Sequence, residues 1–174
     1  MVPDRGSAER RSNEGVESAA APGATERWAL REAGAADAEA ILALWRRAGV
    51  DAGPTDTAPD LRRLLAHPTA TVVVAERDGA LVGTVVAAFD GWRGSLYRLA
   101  VHPAHRRRGC ARALVAAAER RLASWGARRL TALVERDRPG ATAFWGAAGY
   151  VPEPGLVRHV RAPTAGPPSR TSRR

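Results

Sequence analysis

The chain has 174 residues, 45% of them hydrophobic, which fits one domain with a core of its own and excludes a wholly disordered protein. No apolar run nears the ~20 residues of a membrane span, residues 1–25 hold no apolar stretch of the secretory-signal type, and the one cysteine, Cys110, excludes an internal disulfide framework, so a reducing cytoplasm and no membrane partner are expected. The formal net charge is +9 and the pI ≈ 11.4, yet every basic residue is arginine, Arg161, Arg170, Arg173 and Arg174 belong to the C-terminal tail, and no aromatics interleave with basic residues, so nucleic acid is not an expected partner.

Residues 1–25, rich in Ser, Ala, Gly and Glu without periodicity, read as a disordered tail, and 162–174 read the same way around Pro163, Gly166, Pro167 and Pro168. The domain is then 26–161. Residues 28–32 are a short first strand. Residues 37–48 are a helix, with Ile41, Leu44, Trp45 and Ala48 on one face. A polar loop follows over 49–58, and Pro59 starts a second helix that buries Leu61, Leu64 and Leu65 and ends at Pro68. Residues 71–76 are a β-branched strand, Asp78-Gly79 a hairpin turn, and 81–89 the returning strand with Gly83 at a bulge. A turn over 90–94 leads to a fourth strand, 95–101. After a loop at 102–108 comes a helix over 109–125, with Leu114, Val115, Ala118, Leu122 and Trp125 inward and Gly126 ending it. A fifth strand at 130–134 and a helix at 139–148 precede residues 150–151 and 156–160, which are expected to close the sheet. The order predicts an α/β (α+β) sandwich around a mixed, mostly antiparallel sheet flanked by helices.

The most informative stretch is Leu99-Ala-Val-His-Pro-Ala-His-Arg-Arg-Arg-Gly-Cys-Ala-Arg-Ala-Leu114. A strand runs into a basic loop, a glycine and an amphipathic helix. A helix start carries unsatisfied N–H groups and the positive end of the dipole, which together favour an anion. Gly109 removes a side chain where backbone must approach the anion closely, and Ala111 keeps the next turn open. Arg106, Arg107, Arg108 and Arg112 add positive charge suited to a pyrophosphate. The loop lacks the Gly-Lys-Ser/Thr of a Walker motif and the three glycines of a dinucleotide fingerprint.

Arg106-x-x-Gly109-x-Ala111 resembles the acyl-CoA signature of the GNAT acetyltransferases. The preceding Leu99-Ala-Val-His-Pro103 is similar to the end of that family's fourth strand, and Ala141-x-x-Phe144 with Gly149-Tyr150 to its pantetheine-contacting helix and sixth strand. The likeness covers most of 28–160 and is strongest over 91–150. It implies the GNAT acyl-CoA N-acyltransferase fold and, as co-substrate, acetyl-CoA. Backbone N–H groups of 107–112 would hold the pyrophosphate. The splayed edge at Leu99, Ala100 and Val101 would pair with the pantetheine and offer an N–H to the thioester oxygen. Arg106, Arg107, Arg108, Gly109, Cys110, Ala111, Arg112, Arg138, Ala141 and Phe144 would make up the rest of the cofactor site, with no metal. The acceptor would be a small-molecule or peptide amine, its pocket built from 49–68 and the C-terminal strands. A homodimer is compatible with the resemblance, dimers being common in the family.

The pattern departs from the family at two places. Arg138 stands where members often carry Asn, and Trp145 where they carry the Tyr that protonates the leaving thiolate. Indole N–H is a donor but no useful acid, so Tyr97, Tyr150 or water must serve instead. The fourth strand has no acid, and Glu135 is the candidate base, directly or through water, with an ion pair to Arg136 or Arg138 as its other reading. Asp137 reads as a helix cap. Asp51, Asp56 and Asp60 either attract a cationic acceptor or are simply solvated. Cys110 reads as packing, and His102 and His105 as loop scaffold. The leading expectation is acetyl transfer to a primary amine. The alternatives are a non-catalytic or weakly active acyl-CoA-binding module and a nucleic-acid-binding protein.

Overall fold

Every residue from Thr71 to Ala75 and from Val82 to Ala87 is buried. Strands this uniformly apolar belong where both faces of a sheet are covered. The structure, a computed structural model, describes residues 28–135 and 137–161. The tails expected at 1–25 and 162–174 lie outside the described residues. Among the described residues five strands, β1 (Ala29–Glu32), β2 (Ala70–Arg77), β3 (Ala80–Phe89), β4 (Gly94–Val101) and β5 (Leu130–Ala132), form one sheet in sequence order. The first three pairings are antiparallel and β4–β5 is parallel. That parallel pair requires a crossover, supplied by the long helix α3 (Cys110–Ser124). The expected mixed, mostly antiparallel sheet is thus present.

Two cores lie on the two sides of the sheet. Val72, Val74, Val86 and Ala100 meet Ile41, Leu42 and Trp45 of α1 (Ala38–Ala48) and Leu61 of α2 (Ala58–Leu65). Val73, Ala75, Val85 and Leu96 meet Leu114, Val115, Ala118 and Leu122 of α3, with Trp145 of α4 (Pro139–Ala147). Alternate residues of β2 therefore serve opposite cores, as the two-residue period of a strand dictates. Local chemistry sets the boundaries. Gly49 ends α1 at φ 72°, and Thr57 caps α2 by accepting from the Asp60 N–H at 3.2 Å, with proline in the first turn. Asp78 and Gly79 both take positive φ in the β2–β3 turn.

The ladder slips between Ala75 and Glu76 of β2, opposite Gly83 and Leu81, so the bulge falls beside Gly83 as the sequence predicts. This glycine has a packing reason too. A Cβ there would lie 2.8 Å from both Cys110 Sγ and Leu114 Cδ1, so its absence lets the start of α3 sit directly on β3.

Two expectations fail at the C-terminal side. The fifth strand stops at Ala132 rather than 134. Residues 150–151 and 156–160 form no strands, and β5 is the outer edge of the sheet among the described residues. Pro152 and Pro154 cannot donate to a ladder, and Val151, Leu156, Val157 and Val160 stay 67–84% exposed, so no burial draws the segment against β5.

Candidate active site

The cleft arises where β4 and β5 part. They pair only from Gly94–Leu130 to Leu96–Ala132, and the Leu133 N–H closes the contact on the Leu96 carbonyl at 3.0 Å. Beyond Leu96 the outer side of β4 has no strand partner among the described residues. Leu96 and Val101 turn their carbonyls outward, the latter accepting from Arg106 Nε at 3.1 Å, while the His102 N–H turns inward to Val82 at 2.8 Å. Ladder alternation then directs the backbone of Leu99 outward, into the wedge.

The wedge continues into a cleft of about 1660 Å³. One wall is α1, α2 and the loop between them. The other is the end of β5 with α4, and the far end is the start of α3.

That far end is concave backbone. Arg107 and Gly109 take φ of 62° and 86°, and Gly109 is the N-cap of α3. Successive N–H groups around such left-handed residues make an anion-binding nest, continued by the N–H groups of a helix first turn, which have no intrahelical acceptor. The charge comes from Arg107 and Arg112, both exposed and lining the cleft. Arg106 works differently. Its guanidinium bonds the Ala48 carbonyl at 2.7 Å and the Val101 carbonyl, clamping the end of α1 to the end of β4. The loop before it is braced by His102, whose Nδ1 accepts from the Ala104 N–H, and by His105, packed edge-on to Trp28.

At the opposite end, β4 carries a second bulge. Val86 pairs with Tyr97 and Thr84 with Ala100, so Arg98 and Leu99 together face Val85. Arg98 takes φ 54°, the left-handed first position of a bulge usually given to glycine. The extra residue puts Tyr97 and Arg98 both on the α1–α2 side, where Arg98 lies 5.5 Å over the Trp45 ring. A buried chain holds it there: Trp45 Nε1 donates to Thr84 Oγ1 at 2.9 Å, and Thr84 Oγ1 donates to the Arg98 carbonyl at 3.4 Å.

Most predicted site residues converge. Tyr97, Leu99, Ala100, Val101, Gly109, Cys110, Ala111, Glu135, Ala141, Phe144 and Trp145 all line the cleft together with Arg106, Arg107, Arg112 and Arg138. Arg108 and Tyr150 do not. The Tyr150 hydroxyl donates to Glu119 Oε1 of α3 at 2.8 Å, and burial with that carboxylate pushes its pKa up, so it is removed from the site and held neutral. Tyr97 remains in the cleft, its pKa also raised by burial. Trp145 is buried against Phe144 and Tyr150 and packs rather than titrates. Glu135 is ion-paired with Arg138, whose other branch reaches Asp51 Oδ2 at 3.0 Å, joining the two walls. Those carboxylates raise the pKa of Arg138, Glu135 more than Asp51. Asp137 makes no cap, for Arg138 is the N-cap of α4. Asp56 and Asp60 are paired with Arg98 and Arg63. Asp56, expected to attract a cationic acceptor or to be solvated, is instead the loop partner of Arg98, a residue that the sequence did not single out. The available signal was spacing: inward Leu96, Leu99 and Val101 lie three and then two residues apart, a broken alternation that marks a bulge.

Comparison with known proteins adds to this geometry. The profile described as the Acetyltransferase (GNAT) family matches residues 38–150. An acetyltransferase of Photorhabdus laumondii is 39% identical over 101 residues, 58% of this chain and 71% of that protein. Among solved structures, AAC(6')-Iy in complex with the bisubstrate analog CoA-S-monomethyl-acetylneamine superposes with a TM-score of 0.64 at 19% identity, covering 80% of this chain and all of that one. The PaiA N-acetyltransferase of Thermoplasma acidophilum in complex with coenzyme A gives 0.63 at 15% identity, covering 71% and 89%. At these identities the structural likeness is one of fold.

Proposed function

We propose that this chain, which belongs to the GNAT acetyltransferase family, transfers an acetyl group from acetyl-CoA to a primary amine by direct attack within a ternary complex. The observation that carries this reading is the continuity of one cleft from the α3 nest to the bulge of β4. Pyrophosphate suits the nest and the first turn of α3, with Arg107 and Arg112 beside it. Pantetheine, which carries amide groups, suits the unpartnered edge of β4 as an added strand. An outward N–H at Leu99 would then face the thioester oxygen and stabilise it as negative charge develops. The related structures bound to coenzyme A or to a bisubstrate analog support the choice of co-substrate.

In the reaction the neutral amine nitrogen bonds to the thioester carbonyl carbon, the C–S bond breaks, and the sulfur leaves with the bonding pair. The nitrogen loses one proton and the thiolate gains one. Holding the two reactants in line is itself a large part of the acceleration. Tyr97 is our candidate donor to the thiolate, since burial keeps its phenol protonated at neutral pH. Glu135 is the candidate acceptor, through water, of the amine's proton, with Arg138 holding its carboxylate.

The test is thermal stabilisation of the full chain by acetyl-CoA, beside a Gly109→Glu variant, followed by free-thiol release with an amine panel. Acetyl-CoA at 100 times its dissociation constant should stabilise the parent by ~2.7 kcal/mol. The variant puts a carboxylate and a Cβ at a positive-φ position of the nest and should lose that shift. A shift without thiol release on any amine would leave an acyl-CoA-binding module. No shift in the parent would end the acetyl-transfer reading altogether.

A further inference from the structure

The loop between α1 and α2 forms part of the cleft wall near the bulge, through Val50, Asp51, Thr55 and Asp56. It contains no helix or strand of its own, so something must hold it. Arg98 does so from the strand. Its Nη1 donates to the Asp51 carbonyl at 2.9 Å, and its Nη2 pairs with Asp56 Oδ2 at 2.6 Å. The same Asp56 oxygen accepts from the Gly53 N–H at 2.7 Å, and the Asp56 N–H returns to the Gly53 carbonyl at 3.1 Å. A Cβ at Gly53 would stand 2.8 Å from Arg98 Nη2, so a side chain there would displace the guanidinium. The Arg98–Asp56 pair is shielded, its side chains 22% and 11% exposed. It is therefore less screened than the surface pairs elsewhere on the chain.

One residue thus performs two tasks. The backbone of Arg98 makes the bulge that turns Leu99 into the wedge, and its side chain fixes the facing loop at two points. The geometry points to Arg98 as a positioning residue that holds the 49–57 loop as the amine-binding wall, in fixed register with the strand edge that receives the thioester. This rests on the acetyl-transfer reading for the identity of what binds. The mechanical part, loop fixed by strand, does not.

The two tasks can be separated. Arg98→Gly keeps a residue that favours positive φ, and so the bulge, but deletes the side chain. Asp56→Ala leaves β4 untouched and removes the loop's anchor. In the full chain with acetyl-CoA and the best amine of the panel, both variants should raise the amine KM about tenfold or more. The acetyl-CoA dissociation constant should stay within about twofold. Hydrogen exchange read without any ligand should accelerate at the Gly53 and Asp56 amides about tenfold or more in both variants, and stay unchanged in the loop 102–108. Unchanged exchange at those amides in Asp56→Ala would overturn the proposal, whether or not the chain turns over any amine. So would an equal rise in both substrate constants, or a fall in kcat with both unmoved. If the parent fails to bind acetyl-CoA while the exchange result holds, the acetyl-transfer reading fails and the loop anchor stands.

Discussion

A single methyl group at residue 83 tests whether the anion nest is seated by the sheet. In Gly83→Ala the new Cβ would meet Cys110 Sγ and Leu114 Cδ1 at 2.8 Å each. Comfortable non-bonded contacts lie at ~3.5–4.0 Å, so both neighbours must retreat by roughly an ångström or α3 must lift. Neither has free space, being 1% and 0% exposed. Overpacking of this kind costs about 1–3 kcal/mol. For a domain of this size each 1 kcal/mol lowers Tm by roughly 4 °C, so the variant should melt about 4–12 °C below the parent. Because Cys110 and Ala111 are in the first turn of α3, the same displacement should weaken acetyl-CoA severalfold. Adding Cys110→Ala removes one of the two clashes and should recover part of both losses. The assay is a double-mutant cycle in thermal melts with calorimetric titration of acetyl-CoA. Melting losses that merely add, with an unchanged dissociation constant, would refute the seating of α3 on Gly83.

Two further outcomes test the walls of the cleft. Thr57→Ala should lower stability by about 0.5–2 kcal/mol through loss of the α2 cap, and a urea midpoint equal to the parent's would contradict that capping role. The chain has no lysine and two tyrosines, and burial raises the pKa of Tyr97 above the ordinary value near 10. Its contribution to stability is therefore complete below about pH 10 and lost as pH rises through the folded-state value. Urea midpoints measured at about pH 9 and pH 11 should fall less in Tyr97→Phe than in the parent, and an equal fall would show that Tyr97 is not the buried phenol responsible.

The sheet and helices were legible because their causes are local. Gly49, Pro59, Asp78-Gly79 and Gly126 mark ends by backbone preference alone, and Ile41, Leu44 and Trp45 show the helical period of α1. The nest was legible for the same reason, since a glycine opening an amphipathic helix after basic residues is a contiguous pattern. What stayed hidden depends on partners far apart in sequence. Nothing around Tyr150 reveals that Glu119 will take its hydroxyl. Nothing around Arg106 reveals that it will clamp Ala48 rather than face the cleft alone. Residues 156–160 show the opposite error. Leu156, Val157 and Val160 have the composition of a strand, but Pro152 and Pro154 precede them and the segment remains unpaired.

The bridge from Arg138 to Asp51 exposes this cleft to ionic strength at a second place. It is a clasp between the start of α4 and the loop after α1, and at 45% and 84% exposure its charges lie within reach of dissolved ions. At 0.15 M salt the screening length is only about 8 Å. Added salt screens this clasp as it does any exposed ion pair. The same salt weakens the pull of Arg107 and Arg112 on an anion at the α3 end. An anionic ligand at that end is then captured more slowly and held less firmly as salt rises. The residence time of such a ligand is set by the surrounding electrolyte as well as by the contacts that hold it.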